Sequence, residues 1–229
     1  MNRIFAALIL GPSLIASLVA APAFAKDKPA PPVVAAPALS AVVDADITHD
    51  PENILALDLS TGRRVLIRLM PQWAPTHVER IKTLVHQNFY NGIIFHRVID
   101  GFMAQTGDPT GTGTSGSTLP DLKAEFNALP HVRGTLSMAR TESPDSANSQ
   151  FFIVFYPRFA LDRRYTNFGR VISGMDAVDT IQRGEPPASP TKIVQASMLA
   201  DGKAVPPPQV AAPVLPAVSA AQLNNSKSD

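Results

Sequence analysis

The 229-residue chain contains no cysteine. That excludes disulfides, thiolate metal sites, cysteine nucleophiles and a lipid-modified cysteine behind a leader. Any folded part is held by its core alone. An excess of one charge sign is also missing, since 20 basic residues face 19 acidic ones. Near neutrality gives no electrostatic case for nucleic acid or an anionic membrane surface as partner. The five histidines, at 49, 77, 86, 96 and 131, form no HxH or HxxxH pair, and no GxSxG elbow is present. Ser137 and Ser149 have no assigned base, and Asp100, Asp108 and Glu125 do not pick themselves out as a catalytic pair of carboxylates. No metal and no cofactor are expected, and no nucleophile is evident.

Long apolar runs are scarce too. The one present, Ile4–Ala20, has about 17 residues, is broken by Gly11-Pro12 and is short for a membrane span. Arg3 precedes it and the small-x-small end Ala23-Phe24-Ala25 follows. Residues 1–25 therefore read as a secretory signal peptide cleaved before Lys26, with a membrane anchor as the rival reading. Residues 26–43 are rich in Ala and Pro, and Pro29, Pro31, Pro32 and Pro37 remove donors and fix φ, as in a semi-extended linker. The tail, 201–229, repeats that composition and reads as disordered. One folded domain is left at 44–200, and about 150 residues can bury a sufficient core.

Within it, Leu55, Leu57 and Leu59, then Thr61-Gly62, then Val65, Ile67 and Leu69 predict a β-hairpin with one buried face. Pro75 followed by Val78, Ile81 and Val85 predicts a helix that stops before Asn91-Gly92. The loop Gly107–Leu119 contains a literal GxGxxG, but Pro120 and the lack of a helical pattern after it argue for a tightly turning or mobile loop rather than a phosphate cradle. Further short strands are expected at Gly134–Ala139, from Gln150, at Asn167–Val171 and within Thr191–Leu199, with a second short helix through Met175, Val178 and Ile181. Many short strands at such spacing favour a barrel or sandwich over βαβ units.

Phe95–Pro109, FHRVIDGFMAQTGDP, sets Arg97 and Gln105 in an apolar run that reads as a buried or half-buried strand. Arginine is rarely buried without a partner, and a second stretch, SQFFIV at Ser149–Val154, has the same character. Two apolar strands with placed polar donors suggest a greasy groove. His96, lacking neighbouring ligands, is expected to be a satisfied structural histidine. Binding plus electrostatics is enough for one reaction, rotation about an X–Pro bond. In its transition state the imide twists and the lone pair returns to nitrogen, where a donor stabilises it.

These motifs, followed by GTGTSG at 111–116, LSMAR at 136–140, NSQFFIV at 148–154 and LDRRYTNFGRV at 161–171, resemble the cyclophilin family of peptidyl-prolyl isomerases, most of all its exported bacterial branch. The resemblance runs from about Ile54 to Met198. It implies a mainly-β fold, an eight-stranded antiparallel barrel capped by two helices, with the groove on its outer face. It implies that Arg97 is the catalytic arginine and that Gln105 positions it. Phe102, Met103, Phe152 and Leu161 would wall the proline pocket, with Ile99 beside it. Thr112, Ala139, Arg140 and Gln150 match the neighbouring subsite and backbone-binding positions. The implied partners are unfolded or partly folded proline-containing polypeptides met by a monomer in the periplasm. Three departures stand out. Ala160 replaces the tryptophan of cyclosporin-sensitive members, so weak cyclosporin binding is expected, with Phe159 as a partial substitute. Tyr165 replaces a common histidine, and the glycine-rich loop is shorter and carries Ser115. Arg140 also stands where many members have asparagine. A non-catalytic Pro-peptide-binding chaperone or scaffold on the same fold is the alternative.

Overall fold

The computed structural model describes residues 39–207. The expected leader, most of the expected linker and the tail beyond residue 207 lie outside the described residues. In chain order the elements are β1 (Ile54–Leu59), β2 (Arg64–Leu69), α1 (Pro75–His86), β3 (Arg97–Ile99), β4 (Met103–Thr106), β5 (Thr135–Met138), β6 (Phe151–Val154), β7 (Asn167–Ser173), α2 (Met175–Asp179) and β8 (Ile193–Met198). The strands form one sheet in the order β3-β4-β6-β5-β7-β2-β1-β8, and every pairing is antiparallel. The sheet curls until its ends meet. Phe95 N donates to Thr191 O at 2.9 Å, and Val98 and Gly184 exchange backbone bonds of 2.8 and 2.9 Å. The expected mainly-β architecture of eight antiparallel strands and two helices is what is seen, with the last gap bridged by irregular backbone instead of a regular ladder.

The leucines that predicted the first hairpin do face the interior, where Leu55, Leu57, Val65, Ile67 and Leu69 join the main core. The expectation of a single buried face is corrected, because all six residues of β1 are buried. On the outer face Arg64 grips Asp58 with bonds of 2.7 and 2.9 Å, and Gln195 adds a third of 3.0 Å from the other side. These are direct cross-strand neighbours, so the pairing shields the carboxylate from water. The helix predicted from Pro75 ends at His86, and its buried stripe is Val78, Ile81, Leu84 and Val85. Ala74 offers it no side-chain cap. Glu125 caps it instead, accepting from Thr76 N and His77 N at 3.2 Å, which satisfies orphan donors and places a carboxylate at the positive end.

The stretch read as one strand at Phe95–Pro109 is two. β3 and β4 pair antiparallel, joined through Asp100-Gly101, with Gly101 at φ +66° and Phe102 N donating to Ile99 O at 3.1 Å. Asp-Gly between apolar runs is a hairpin signal, and it turns the chain back within a stretch whose composition looks continuous.

Segments flanking the predicted domain also pack on it. Trp73 Nε1 donates to Ser40 O at 2.9 Å, and Val43 covers Met70, Trp73 and Leu129. Arg68, 4% exposed, donates to the carbonyls of Asp44, Asp46, His49 and Asp50 at 2.6–3.0 Å. On the C-terminal side, Lys203 O accepts from Arg64 and Ala204 O from Gln195, each at 3.1 Å. Arg68→Met removes the four donors and leaves those carbonyls to water. We expect it to lower stability by about 2–3 kcal/mol, read as a lower urea midpoint. X–Pro isomerisation by the folded fraction should be unchanged, because β2 lies across the sheet from β3 and β4.

Candidate active site

Side chains alternate across a strand, and β3, β4 and β6 use both faces. Val98, Ala104, Phe151 and Ile153 point into the main core. On the outer face the register puts Arg97 opposite Gln105, and Gln105 opposite Phe152. The next outward row is Ile99, Met103 and Val154. Met103, Phe152 and Val154 form a separate apolar cluster with Ile99, Phe102, Ala139, Leu161 and Tyr165 packed against it. Phe152 lies 5.9 Å from Tyr165 in an edge-to-face contact and 6.5 Å from Phe102.

Above this cluster opens a cavity of about 750 Å³. The residues picked out from the sequence gather around it. Arg97, Phe102, Met103, Gln105, Thr112, Ala139, Arg140, Phe152, Leu161 and Tyr165 all line it. Gln150 lies in an adjoining cavity of about 500 Å³ that shares Gln105, Ala139 and Arg140. Ile99 supports the apolar cluster from the side. Phe159 is 63% exposed and lines neither cavity, so it does not stand in for the missing tryptophan. Its 3-10 turn points the ring to solvent.

A relay of polar groups crosses the greasy floor. Gln150 Nε2 donates to Gly113 O and Ser115 O at 3.2 and 2.7 Å. Gln105 Nε2 donates to Gln150 Oε1 at 2.9 Å, and Arg97 Nη1 donates to Gln105 Oε1 at 3.4 Å. Arg97 Nε donates to Glu185 Oε2 at 2.7 Å. Glu185 and Pro186 line the cavity and went unnoticed in the sequence. They lie 88 positions from Arg97 for the glutamate, and nothing local in a Pro-rich turn announces them.

The glycine-rich loop is tightly turned, and no helix follows it. Its anchor is Asp108, 1% exposed, which accepts from Thr110, Gly113 and Ser115 backbone N–H groups at 2.8, 2.6 and 3.3 Å. Burial alone would raise this carboxyl, but the hydrogen bonds outweigh it and hold it below the usual range. The opposite wall hangs on His131. Asp162 Oδ1 accepts from His131 N and lies 2.8 Å from His131 Nδ1, one residue beyond Leu161. Ser137 Oγ lies 3.0 Å from both His131 Nε2 and Thr166 O. So Ser137 has a histidine neighbour that the sequence alone does not assign. The resulting Ser–His–Asp line is no nucleophile, because Ser137 and His131 are fully buried and no substrate carbonyl reaches them.

His96 is a correction of a different kind. It is 5% exposed, yet neither ring nitrogen has a hydrogen-bond partner, and it lines the cavity. It is buried without being satisfied, wedged beneath Gly113 of the loop. Burial holds its pKa below the ordinary 6.5, against the pull of Asp108.

Residues 56–198 match the family model described as cyclophilin type peptidyl-prolyl cis-trans isomerase/CLD. The chain is 49% identical over 170 residues to a Brucella suis protein named "Probable peptidyl-prolyl cis-trans isomerase", covering 67% of this chain and 86% of that one. It is 42% identical over 123 residues to the human "Peptidyl-prolyl cis-trans isomerase-like 3", covering 52% of this chain and 76% of the relative. Among solved structures it is similar to the cyclophilin AquaCyp293 of Hirschia baltica, with a TM-score of 0.62, 31% identity and coverage of 66% and 76% of the two chains. It is also similar to a Cryptosporidium parvum cyclophilin-type isomerase determined in the presence of the dipeptide Ala-Pro, with a TM-score of 0.59, 26% identity and coverage of 63% and 98%. The chain belongs to the cyclophilin family and is a peptidyl-prolyl cis-trans isomerase.

His77, His96 and His131 are all held below the ordinary histidine pKa of 6.5, burial being the largest cause in each. Each binds its proton more weakly folded than unfolded. Their stabilising contribution is therefore complete above about pH 6.5 and falls as the pH drops below it. Urea midpoints measured at about pH 7.5 and about pH 5.5 should differ, the acid one being lower. An equal or higher midpoint in acid would contradict the burial of neutral rings.

Proposed function

We propose that the chain accelerates X–Pro rotation in exported polypeptides by an arginine-assisted mechanism in the outer-face groove, working in the periplasm. The observation that carries it is the cross-strand row Arg97–Gln105–Phe152, a cation and its hydrogen-bond partner beside an apolar pocket. Resonance in the planar imide sets a barrier of ~18–20 kcal/mol. As the bond twists, the nitrogen lone pair localises and becomes a hydrogen-bond acceptor. A guanidinium beside it stabilises the twisted form over either planar form, which is differential binding of the transition state. The apolar wall of Phe102, Met103, Phe152 and Leu161 grips the ring, and the amide of Gln105, tied to Gln150, makes a long contact with the arginine. An acceleration of about 10⁵-fold requires roughly 7 kcal/mol. Ring burial and one charge-assisted donor in a partly dry site are of that order.

The presence of Ala-Pro with the Cryptosporidium parvum relative supports a proline-containing peptide as ligand. The leader-like sequence 1–25 supports export, and the balanced charge supports a partner other than nucleic acid or membrane. We take the working form to be a monomer without a cofactor.

Replacement of Arg97 by Ala should lower kcat/KM on an X–Pro peptide by on the order of 10²-fold, measured in a protease-coupled or exchange-NMR assay. Peptide binding that persists in R97A together with negligible turnover by the wild type would favour the scaffold reading. Cyclosporin should inhibit weakly, since Ala160 supplies no indole donor. A160W should tighten inhibition about tenfold, the value of one added hydrogen bond.

A further inference from the structure

We propose that Glu185 is the positioning residue for Arg97, a reading that rests on the arginine mechanism above. The pair is joined by a 2.7 Å bond from Arg97 Nε to Glu185 Oε2. The contact to Gln105 is 3.4 Å and leaves the guanidinium weakly held on that side. Glu185 bonds the Nε edge of the guanidinium. Its remaining terminal N–H groups are left for a ligand in the cavity, which both residues line.

Backbone, not chance side-chain reach, delivers the carboxylate. Gly184 exchanges both its bonds with Val98, the residue after Arg97, at 2.8 and 2.9 Å. The bridge that closes the barrel therefore brings Glu185 beside β3. Gly184 stands at φ +140°, and a Cβ there would lie 2.6 Å from Pro187 Cα, so the turn needs glycine. Pro186 and Pro187 follow, restricting the backbone on the other side. A preplaced acceptor loses little entropy on pairing, which is what a positioning group requires. Both side chains are about half exposed, at 42% for Arg97 and 51% for Glu185. The coupling is therefore modest and shifts the population of one arginine rotamer rather than holding the fold.

The test uses the full chain and an X–Pro model peptide. E185A should lower kcat roughly fivefold with KM little changed, the population shift expected of an exposed pair. E185Q keeps an acceptor oxygen and should recover most of the loss. The Arg97 Nε–H signal in 15N NMR should exchange slowly in wild type and E185Q and quickly in E185A. In the R97A background, adding E185A should cost nothing further, since the group it positions is gone. R97A as active as wild type would sink the arginine mechanism itself. R97A inactive with E185A unchanged in both kcat and Nε–H exchange would overturn the role of Glu185 alone. So would a loss confined to KM, or a further loss in the double variant.

Discussion

The two-residue alternation of the β-strand governs the geometry on which everything else rests. β3, β4 and β6 sit at one end of the sheet, and each must fill the barrel with one face while building a ligand groove with the other. Val98, Ala104, Phe151 and Ile153 go inward to the main core, and Arg97, Gln105, Met103 and Phe152 go outward. A register slip of one residue would exchange the two sets and destroy both at once. Core packing and site geometry are thus enforced by the same ladder, and the interior cluster acts as the rigid support of the pocket.

On that support the polar groups are linked to one another. The relay from Glu185 through Arg97, Gln105 and Gln150 to the carbonyls of Gly113 and Ser115 ties the cation to two loops that the strands alone do not control. Each loop has its own buried anchor. Asp108 gathers the glycine-rich loop, and the His131–Asp162 contact seats the segment carrying Leu161 and Tyr165. The rim adds stacked cover, with Arg140 4.6 Å over Tyr165 and Arg158 5.1 Å over Phe102.

Much of this was legible from residues alone. Apolar periodicity located the first hairpin and α1, since both report burial of one face with a fixed period. The motif stretches located the groove wall, because a cation in an apolar run needs a reason. The misses have physical causes. The β3–β4 turn was hidden inside a run of uniform hydrophobicity, with Asp100-Gly101 as its only local mark. Alternation in β1 shows one buried face only, because covering Asp58 on the other takes residues from β2 and β8. The unsatisfied ring of His96 and the neighbours of Ser137 are not legible locally, because hydrogen-bond satisfaction is a property of neighbours in space.

Composition and pattern by themselves determined the chemistry available: no thiol, no metal cluster in the pattern, no nucleophile elbow, and an arginine, Arg97, set in an apolar motif stretch. They also marked both helices and most of the strands, because periodicity is local. Tertiary structure alone decided which groups meet. Glu185 reaches Arg97 across 88 positions only because the curled sheet closes at Val98 and Gly184, and Asp162 reaches His131 across 31. Side-chain chemistry is written residue by residue. Proximity follows from closure of the sheet, a constraint on the whole chain that no local stretch carries.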